Sequence, residues 1–388
     1  MDRSSLAALP AQSAQGNWLE RWRDWRHRTV ARPGFQRWAQ AFWLTRPIAR
    51  RQAGELFELV AGFVYSQVLL ACVRLDIFDV LADGPLTLQQ LSDRIGLGSE
   101  GCERLVAAAA ALELLESRSA GTVVALGRLG APLVGNRAIT SMIEHHSTLY
   151  GDLADPVALL RRQARPAMAG YWPYAAHELS TDLTAERVVE YSTLMSASLP
   201  LVSQEVIAVY PFERHRRLLD VGGGEGRFLR AVAERAPGLE LVLFDLPAVA
   251  ERARAAFADA GMADRTQACG GDFFQDALPQ GADVASLVRV CFDHPDERVL
   301  TLLRAVRQAL PDNGTLVLAE PMAQARGALA MGDAYFGFYL LAMGRGKPRS
   351  AAQLTALLHQ AGFGQVRELV TRMPLQTGVL VARCQRKP

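Results

Sequence analysis

Two short stretches of the chain combine residue types that bind cofactors and move protons. The first, residues 218–228, reads LLDVGGGEGRF, an apolar run followed by a glycine-rich segment. Glycines placed after a strand let a ligand approach the backbone closely, beside the N-terminus of the following helix. The second, residues 289–297, reads RVCFDHPDE and brings together a cation, a thiol, carboxylates and an imidazole. The first stretch predicts a cofactor loop and the second a site of proton transfer.

The acids around the glycine loop indicate which cofactor it binds. Asp220 precedes Gly222 and Gly224 in the order D-x-G-x-G, which differs from the GxGxxG pattern of dinucleotide loops. An acid at this position attracts a cationic amino-acid group and would repel a pyrophosphate. Asp245 ends the next predicted strand, where a carboxylate binds the ribose hydroxyls. The pattern therefore favours S-adenosylmethionine over NAD.

A third acid lies in GGDFF, residues 270–274, at the end of a further predicted strand. The carboxylate of Asp272 could accept a hydrogen bond from the amino group of an adenine, and the ring of Phe273 could pack on its face. The alternative is structural: Asp272 caps a helix and Phe273 belongs to the core.

The elements that position these residues follow from the alternation of apolar runs and helical patterns over residues 186–388, which predicts a βαβ sheet. The predicted strands are 217–221, 239–245, 283–290, 314–320 and 378–383. The predicted helices are 227–236, 248–261, 296–310 and 351–362.

The preceding region, residues 52–185, is mainly helical by periodicity. Residues 86–118 predict a helix, a turn and a second helix, and a short strand pair is expected around 122–130, the arrangement of a winged helix. The second helix carries more acids than cations, whereas a DNA-reading helix needs cations and donors to base edges. We therefore expect a structural or dimerising role and no nucleic-acid partner.

Residues 1–51 form a third region, rich in arginine and tryptophan. It holds ten arginines against three acids and five of the six tryptophans of the chain. Trp18, Trp22 and Trp25 share one helical face. Two placements fit this pattern: the indoles lie at an anionic membrane surface, or they pack on the next domain or a dimer partner.

Composition narrows the class of protein. The 388 residues and balanced composition suit two globular domains, and a net charge of +2 does not by itself imply nucleic acid. The five cysteines are widely spaced and predict neither a disulfide framework nor a metal site. We expect no signal peptide and no apolar run long enough to span a bilayer, and hence a cytoplasmic location.

Five motifs of the chain resemble those of the plant-type, class I S-adenosylmethionine-dependent O-methyltransferases. They are LLDVGGGEG, FDLPAV, GGDFF, VRVCFDHPDE and GKPRSAAQLTALLHQAGF, within a resemblance that covers about 54–388. Residues 33–69 and 142–161 are similar, more narrowly, to the purple-bacterial enzymes that methylate acyclic carotenoids. The resemblance implies a Rossmann-like α/β catalytic domain and a helical, winged-helix dimerisation domain, and hence a homodimer.

The resemblance also implies roles for residues of the cofactor site. Gly222 and Asp245 would hold the amino-acid and ribose parts of S-adenosylmethionine, and Asp272 and Phe273 its adenine. Arg289 stands where many bacterial relatives have an arginine that lines the cofactor site.

The general base departs from the pattern of these relatives. Enzymes of the family that methylate phenols have His-Asp-Trp where this chain has Phe292, Asp293 and His294, so Phe292 replaces the usual base. His294 is the leading candidate, with Asp293 to orient it, and Glu320 is another. A histidine pair, His145–His146, is a further candidate. Alternatively, His294 only caps the following helix.

An apolar side chain at the base position suits a polyene substrate. Aromatic residues that could line a long slot, or instead belong to the core or dimer interface, are Tyr150, Trp172, Tyr174, Tyr335, Phe336, Phe338 and Tyr339.

The resemblance implies that the enzyme methylates the tertiary 1-hydroxyl of hydroxyneurosporene and demethylspheroidene, in spheroidene and spirilloxanthin biosynthesis. Such a substrate is dissolved in membrane, which favours peripheral contact of residues 1–51 with the inner photosynthetic membrane. The alternatives are a methyltransferase for another hydrophobic pigment or polyketide, and a cofactor-sensing, DNA-binding regulator.

Overall fold

A computed structural model of the chain describes residues 18–170, 199–374 and 377–385. These residues form two compact units, one that ends at Leu129 and one that begins at Gly130. The predicted domain boundary between residues 185 and 186 lies outside the described residues. The division into 1–51, 52–185 and 186–388 therefore stays a prediction.

The first unit is helical with a small antiparallel sheet. Its helices are α1 (Trp18–Val30), α2 (Pro33–Ala41), α3 (Arg46–Arg74), α4 (Ile77–Val80), α5 (Leu88–Ile95) and α6 (Ser99–Ala111). Its strands are β1 (Leu86–Thr87), β2 (Leu115–Arg118) and β3 (Val123–Leu126), in the order β1-β3-β2. Helices α5 and α6 with this sheet form the predicted winged helix.

The strand pair expected around residues 122–130 is present as β2 and β3, which pair antiparallel. Strand β3 pairs with β2 and β1, which precede it, and not with the residues that follow it. After β3 the chain returns to the end of α6, where the carbonyl oxygen of Glu113 accepts from the N–H of Leu129 at 2.9 Å. Residues 127–130 are held there and cannot pair as a strand.

Large apolar side chains are exposed along the first three helices. The tryptophans among them are Trp18, Trp22, Trp25, Trp38 and Trp43, and the apolar residues of α3 are Ile48, Leu56, Phe57, Leu59, Val60, Phe63 and Val64. Helix α3 is long and apolar enough to cross a membrane by length and composition alone, a pattern that core helices share. The expectation that the chain has no such run is wrong at this helix.

The second unit contains the predicted α/β domain. Its helices are α7 (Arg137–Asp152), α8 (Pro156–Leu160), α9 (Leu199–Val209), α10 (Arg227–Arg235), α11 (Pro247–Asp259), α12 (Asp296–Ala309), α13 (Phe336–Ala342) and α14 (Ala351–Gln360). Its strands are β4 (Arg217–Val221), β5 (Glu240–Asp245), β6 (Thr266–Gly270), β7 (Val284–Val288), β8 (Thr315–Glu320), β9 (Met322–Ala323), β10 (Arg349–Ser350), β11 (Phe363–Leu369) and β12 (Gly378–Cys384).

Seven of these strands form one sheet in the order β11-β12-β8-β7-β4-β5-β6. The strands from β8 to β6 are parallel, and β12 and β11 add to the edge in antiparallel pairs. Apolar clusters cover both faces, as a parallel sheet requires. The strand order reverses between β4 and β7, so their carboxyl ends mark the place where α/β sheets bind ligands.

The five strands and four helices predicted for this domain are present, with ends that shift by one or two residues. Several elements of this unit were not predicted, α9, β9, β10 and α13 among them, and two more depart from regular structure. One is β11, whose short run is broken by an irregular register between Gly364 and Arg367. The other is a π-helix, Ala330–Tyr335, which continues directly into α13.

Candidate active site

Asp220 lies buried at the carboxyl end of β4, at the point where the strand order reverses. Its Oδ1 accepts a hydrogen bond of 2.6 Å from the hydroxyl of Ser286 on β7. No donor among the described residues reaches its Oδ2. Burial raises the pKa of Asp220 to about 7, and the nearby charge of Asp245 raises it further, while the Ser286 bond lowers it.

Asp245, at the end of β5, is bonded directly to the glycine loop. Its Oδ2 accepts from the N–H of Gly224 at 2.8 Å, and its Oδ1 accepts from the N–H of Leu246 at 2.7 Å. Burial raises its pKa to about 6, although both backbone bonds oppose the rise. The second predicted acid thus fixes the shape of the loop in addition to facing its ligand site.

The loop adopts backbone conformations that favour glycine. Gly222 has φ 71° and Gly224 has φ 59°, both in the left-handed region. A Cβ on Gly222 would lie 2.9 Å from a methyl carbon of Val290, whereas a Cβ on Gly224 would meet no atom within 4 Å. The backbone at Gly222 therefore lies close to the loop that follows β7, whereas Gly224 borders open space.

These residues fit S-adenosylmethionine. A buried carboxylate oxygen without a partner costs free energy unless it meets a cation or a donor, and the amino-acid part of the cofactor carries an ammonium group. Asp220 would hold that group. Asp245, with two oxygens that can accept further bonds, would hold the ribose hydroxyls.

The adenine candidates also lie at this edge of the sheet. A Cβ on Gly222 would lie 3.8 Å from the ring of Phe273, which places that ring beside the loop. Asp272 accepts from the N–H of Phe274 and from the side-chain amide of Gln275, both at 2.9 Å. These bonds close a turn at residues 273–275, where the structural alternative expected the start of a helix. The adenine role of Asp272 stays a prediction.

Arg289 directly follows β7, and its φ of 59° lies in the left-handed region. Its backbone N–H donates to the carbonyl oxygen of Ala319 at 2.7 Å. Its positive charge lowers the pKa of Asp293, whose overall shift is well upward because of burial and, to a lesser extent, the charge of Glu320. The same arginine lowers the pKa of Tyr335. Arg289 is therefore close to both groups.

Two buried charged residues hold the loop that follows Arg289. The guanidinium of Arg349 donates to the carbonyl oxygens of Cys291 at 2.9 Å and His294 at 2.6 Å, and to the carboxylate of Asp296 at 2.7 Å. Glu320 accepts from the N–H of Phe292 at 3.0 Å. Burial raises the pKa of Glu320 to about 7, against the effect of Arg349. Both groups fix the loop backbone.

Phe292 and His294 pack with different neighbours. Phe292 is buried with Leu149, Leu159 and Tyr339. The imidazole of His294 lies edge-on to the ring of Phe274, with centroids 5.0 Å apart.

Burial lowers the pKa of His294 to about 4, and the charges of Arg298, Arg345 and Arg349 add to this. The imidazole is thus neutral at physiological pH and lies on the side of the predicted adenine residues. The assignment of His294 as base, with Asp293 or Glu320, stays a prediction.

The other histidine candidates meet two tyrosines of the aromatic slot. Nε2 of His146 lies 2.7 Å from the hydroxyl oxygen of Tyr335, and Nε2 of His145 lies 3.1 Å from that of Tyr339. The slot residues Trp172 and Tyr174 lie outside the described residues.

Sequence reasoning missed Ser286 and Arg349. Ser286 is a polar residue inside an otherwise apolar predicted strand, which was a usable signal. Arg349 sits in a charged stretch before a helix and has no distinguishing sequence pattern, because only the tertiary fold brings it to Cys291 and His294.

We expect cofactor affinity to depend on pH through Asp220. Below its pKa of about 7 the carboxyl is neutral and no longer attracts an ammonium group. Since only the ionised form binds well, affinity for S-adenosylhomocysteine should fall about tenfold from pH 8 to pH 6. Isothermal titration calorimetry measures this.

Two variants test the assignment. Ser286→Ala removes a donor that lowers the pKa, so the midpoint should move to higher pH. Asp220→Asn should bind weakly with a flat profile between pH 6 and pH 8. An unchanged profile in Asp220→Asn would contradict the prediction.

We expect Arg349→Met to destabilise the protein by about 3 kcal/mol, because the carbonyl oxygens of Cys291 and His294 each lose a bond to a charged donor. Chemical denaturation followed by circular dichroism measures the change. Arg304→Met, on the exposed face of α12, is the matched control and should stay within about 0.5 kcal/mol of the wild type. Equal stabilities for both variants would show that Arg349 does not hold the loop.

The chain matches two family models. Residues 150–364 match the O-methyltransferase domain, and residues 57–134 match the O-methyltransferase dimerisation domain, which indicates a homodimer. The predicted winged-helix dimerisation domain and methyltransferase sheet are thereby confirmed.

Individual relatives agree with the family models. The chain is 43% identical to the demethylspheroidene O-methyltransferase of Cereibacter sphaeroides, over 86% of this chain and 87% of that protein. It is 40% identical to the demethylspheroidene O-methyltransferase of Rhodobacter capsulatus, over 87% of this chain and 84% of that protein. A solved structure of the methyltransferase CalO1 from calicheamicin biosynthesis, with S-adenosylhomocysteine bound, superposes with a TM-score of 0.72 at 26% identity. It covers 87% of this chain and 98% of that one.

Together with the fit of the glycine loop and its acids to the cofactor, these matches confirm the prediction of an enzyme rather than a regulator. The chain therefore belongs to the S-adenosylmethionine-dependent O-methyltransferase family.

Proposed function

We propose that the enzyme methylates the tertiary hydroxyl of an acyclic carotenoid, with hydroxyneurosporene and demethylspheroidene as substrates. The observation that carries the proposal is the buried ring of Phe292, which presents an apolar surface where related phenol methyltransferases have a histidine. Its neighbours, Leu149, Leu159, Met168 and Leu340, are apolar as well. Such a wall accepts a polyene at no desolvation cost. The identity to two demethylspheroidene O-methyltransferases supports the same substrate class.

The chemistry of such a substrate explains what the protein must supply. When bound, S-adenosylmethionine supplies a methyl group on a positively charged sulfur, which is open to in-line attack. Much of the rate can therefore come from holding the hydroxyl oxygen in line with that methyl. An apolar wall orients the carbon chain of the alcohol. A proton acceptor is still needed, because an alcohol is less acidic than a phenol with pKa of about 10.

We expect the purified enzyme to methylate 1-hydroxyneurosporene in detergent or liposomes, as measured by transfer of a labelled methyl group. Phe292→Leu should retain most of the turnover, because leucine keeps the wall apolar. Phe292→His should lower kcat/KM at least tenfold, since an unsatisfied polar group in this wall costs about 1–3 kcal/mol.

The rival within enzymes is a methyltransferase for another hydrophobic pigment or polyketide. Turnover of small phenols by the wild type, with none of 1-hydroxyneurosporene, would establish that rival. Equal activities of the two Phe292 variants on the carotenoid would remove the apolar wall as the basis of specificity.

We further propose that the helices α1 and α2 lie on an anionic membrane surface, so that the homodimer is peripheral to the inner membrane where its substrate is dissolved. Trp18, Trp22 and Trp25 are 72%, 49% and 62% exposed. Arg21, Arg23, Arg26 and Arg28 accompany them on α1. Indoles at the headgroup level and arginines that meet anionic lipids are the features of an interfacial helix.

The apolar residues of α3 suit a different partner. Leu56, Phe57 and Phe63 are each more than 60% exposed, and the dimerisation domain begins at residue 57. An apolar helix face of this kind is covered by a second copy of the chain in a homodimer.

We expect the double variant Trp22→Gln, Trp25→Gln to lose sedimentation with anionic liposomes while it remains a dimer. Phe63→Gln, an equally exposed apolar residue on α3, is the matched control and should weaken the dimer, as measured by analytical ultracentrifugation. If the tryptophan variant instead becomes monomeric and still sediments with liposomes, the indoles belong to the dimer interface and the membrane proposal fails.

A further inference from the structure

Two histidine–tyrosine pairs join α7 to the segment formed by the π-helix and α13. His146 pairs with Tyr335 at 2.7 Å, and His145 pairs with Tyr339 at 3.1 Å. Consecutive histidines on a helix project about 100° apart, so the two pairs face different surroundings. Phe292, which forms the apolar wall, shares a cluster with Tyr339, and the ring of Tyr335 packs against that cluster.

The two tyrosines differ in burial, whereas His145 and His146 are both partly buried. Tyr339 is 8% exposed and belongs to the core of this cluster, so its bond to His145 serves the packing of α7 on α13. Tyr335 and His146 are only half-buried. Tyr335 therefore has surface left for a ligand, and its neighbours are aromatic: Phe336 at 5.0 Å and Tyr150, which lies 6.3 Å from the ring of His146.

Tyr335 also lies near Arg289, the residue that follows β7. The charge of Arg289 acts on Tyr335 and on Asp293. The residue after Arg289, Val290, contacts the position of Gly222 in the glycine loop. A group that touches Tyr335 would therefore lie near both the apolar wall and the end of β7, where Val290 borders the cofactor loop.

We propose that Tyr335 is a catalytic residue, whose hydroxyl oxygen accepts the proton of the substrate alcohol and passes its own proton to Nε2 of His146. This inference rests on the proposed function. As the alcohol oxygen forms its bond to the methyl carbon, the carbon–sulfur bond breaks and its electron pair stays on sulfur. The products are an ether, a thioether and a protonated His146, which then releases its proton to solvent.

The charge balance of this step suits a buried site. Burial lowers the pKa of His146 and raises that of Tyr335 to about 12, so both side chains are neutral before reaction. One positive charge is present throughout, first on sulfur and then on the imidazole. The transfer therefore creates no new net charge in a region that solvates charge poorly. His146 acts through Tyr335 and is a positioning residue.

The kinetic test compares two tyrosine–histidine pairs of the same unit. Tyr335→Phe and His146→Gln should each lower kcat by about 100-fold or more, the usual share of acid–base catalysis, with KM changed by less than about threefold. Affinity for S-adenosylhomocysteine should be unchanged. The wild type should show a solvent deuterium isotope effect on kcat that Tyr335→Phe loses.

Tyr210 and His215 provide the matched control. Their hydrogen bond is also 2.7 Å long, but it lies beside Asp283 at the amino ends of β4 and β7, away from the cofactor loop. Tyr210→Phe and His215→Gln remove a bond of the same kind and should leave kcat near the wild-type value. Thermal unfolding of all four variants separates loss of rate from loss of fold.

A readout independent of turnover tests the bond itself. In protein labelled with ¹⁵N-histidine, the Nε2 resonance of His146, assigned by its absence in His146→Gln, should be that of a neutral, hydrogen-bonded acceptor. Tyr335→Phe should shift that resonance and leave the resonance of His215 unchanged. A His146 resonance that ignores Tyr335→Phe would overturn the proposal.

Two kinetic outcomes would also overturn the proposal. One is a near-normal kcat in Tyr335→Phe, and the other is a kcat that falls in His294→Ala but in neither Tyr335→Phe nor His146→Gln. Failure of the proposed function is a separate result: the wild type would then not methylate 1-hydroxyneurosporene. In that case the kcat of each variant is compared with that of the wild type on the alcohol or phenol that the wild type does methylate. This comparison then decides whether Tyr335 is catalytic for that substrate.

Discussion

The geometry of the active-site loop depends on the buried guanidinium of Arg349. A cation in the interior is tolerated only when its donors are satisfied, and here the loop between β7 and α12 supplies the acceptors. The requirement is mutual, because the same bonds satisfy the loop carbonyls of Cys291 and His294. Glu320 adds a third fixed point at the N–H of Phe292. The loop is consequently shaped by strand β10 and strand β8, which flank it, rather than by its own sequence.

Because the loop backbone is fixed in this way, the side chains of Phe292 and His294 pack against different parts of the protein. His294 lies against Phe273 and Phe274, and Phe292 lies in the cluster of α7 and α13. A base at His294, two residues after the usual base position at Phe292, therefore has different neighbours from a base at the usual position. The second unit instead concentrates imidazole and phenol groups next to Phe292, at His146 and Tyr335. Binding of the carbon chain and handling of the proton are then assigned to separate elements.

The sequence predicted the parallel sheet and the residues at its carboxyl edge, because strand periodicity and glycine spacing are local signals. Asp220, Asp245 and Phe273 lie there as expected. The features that the sequence could not predict depend on contacts between residues that are far apart in the chain. The bond of Ser286 to Asp220 spans β7 and β4, and Arg349 on β10 holds the backbone carbonyl of His294. A residue's place in a motif gave its position along the chain, whereas the direction of its side chain came from the fold.

The left-handed backbone of Arg289 has a consequence for any attempt to make this enzyme more robust. A side chain at φ 59° costs about 1–2 kcal/mol, and glycine would remove that cost. Selection for thermal tolerance alone would therefore favour glycine at this position and discard the charge that acts on Asp293 and Tyr335. Arg289 is therefore a position where thermal stability and the placement of a positive charge are opposed.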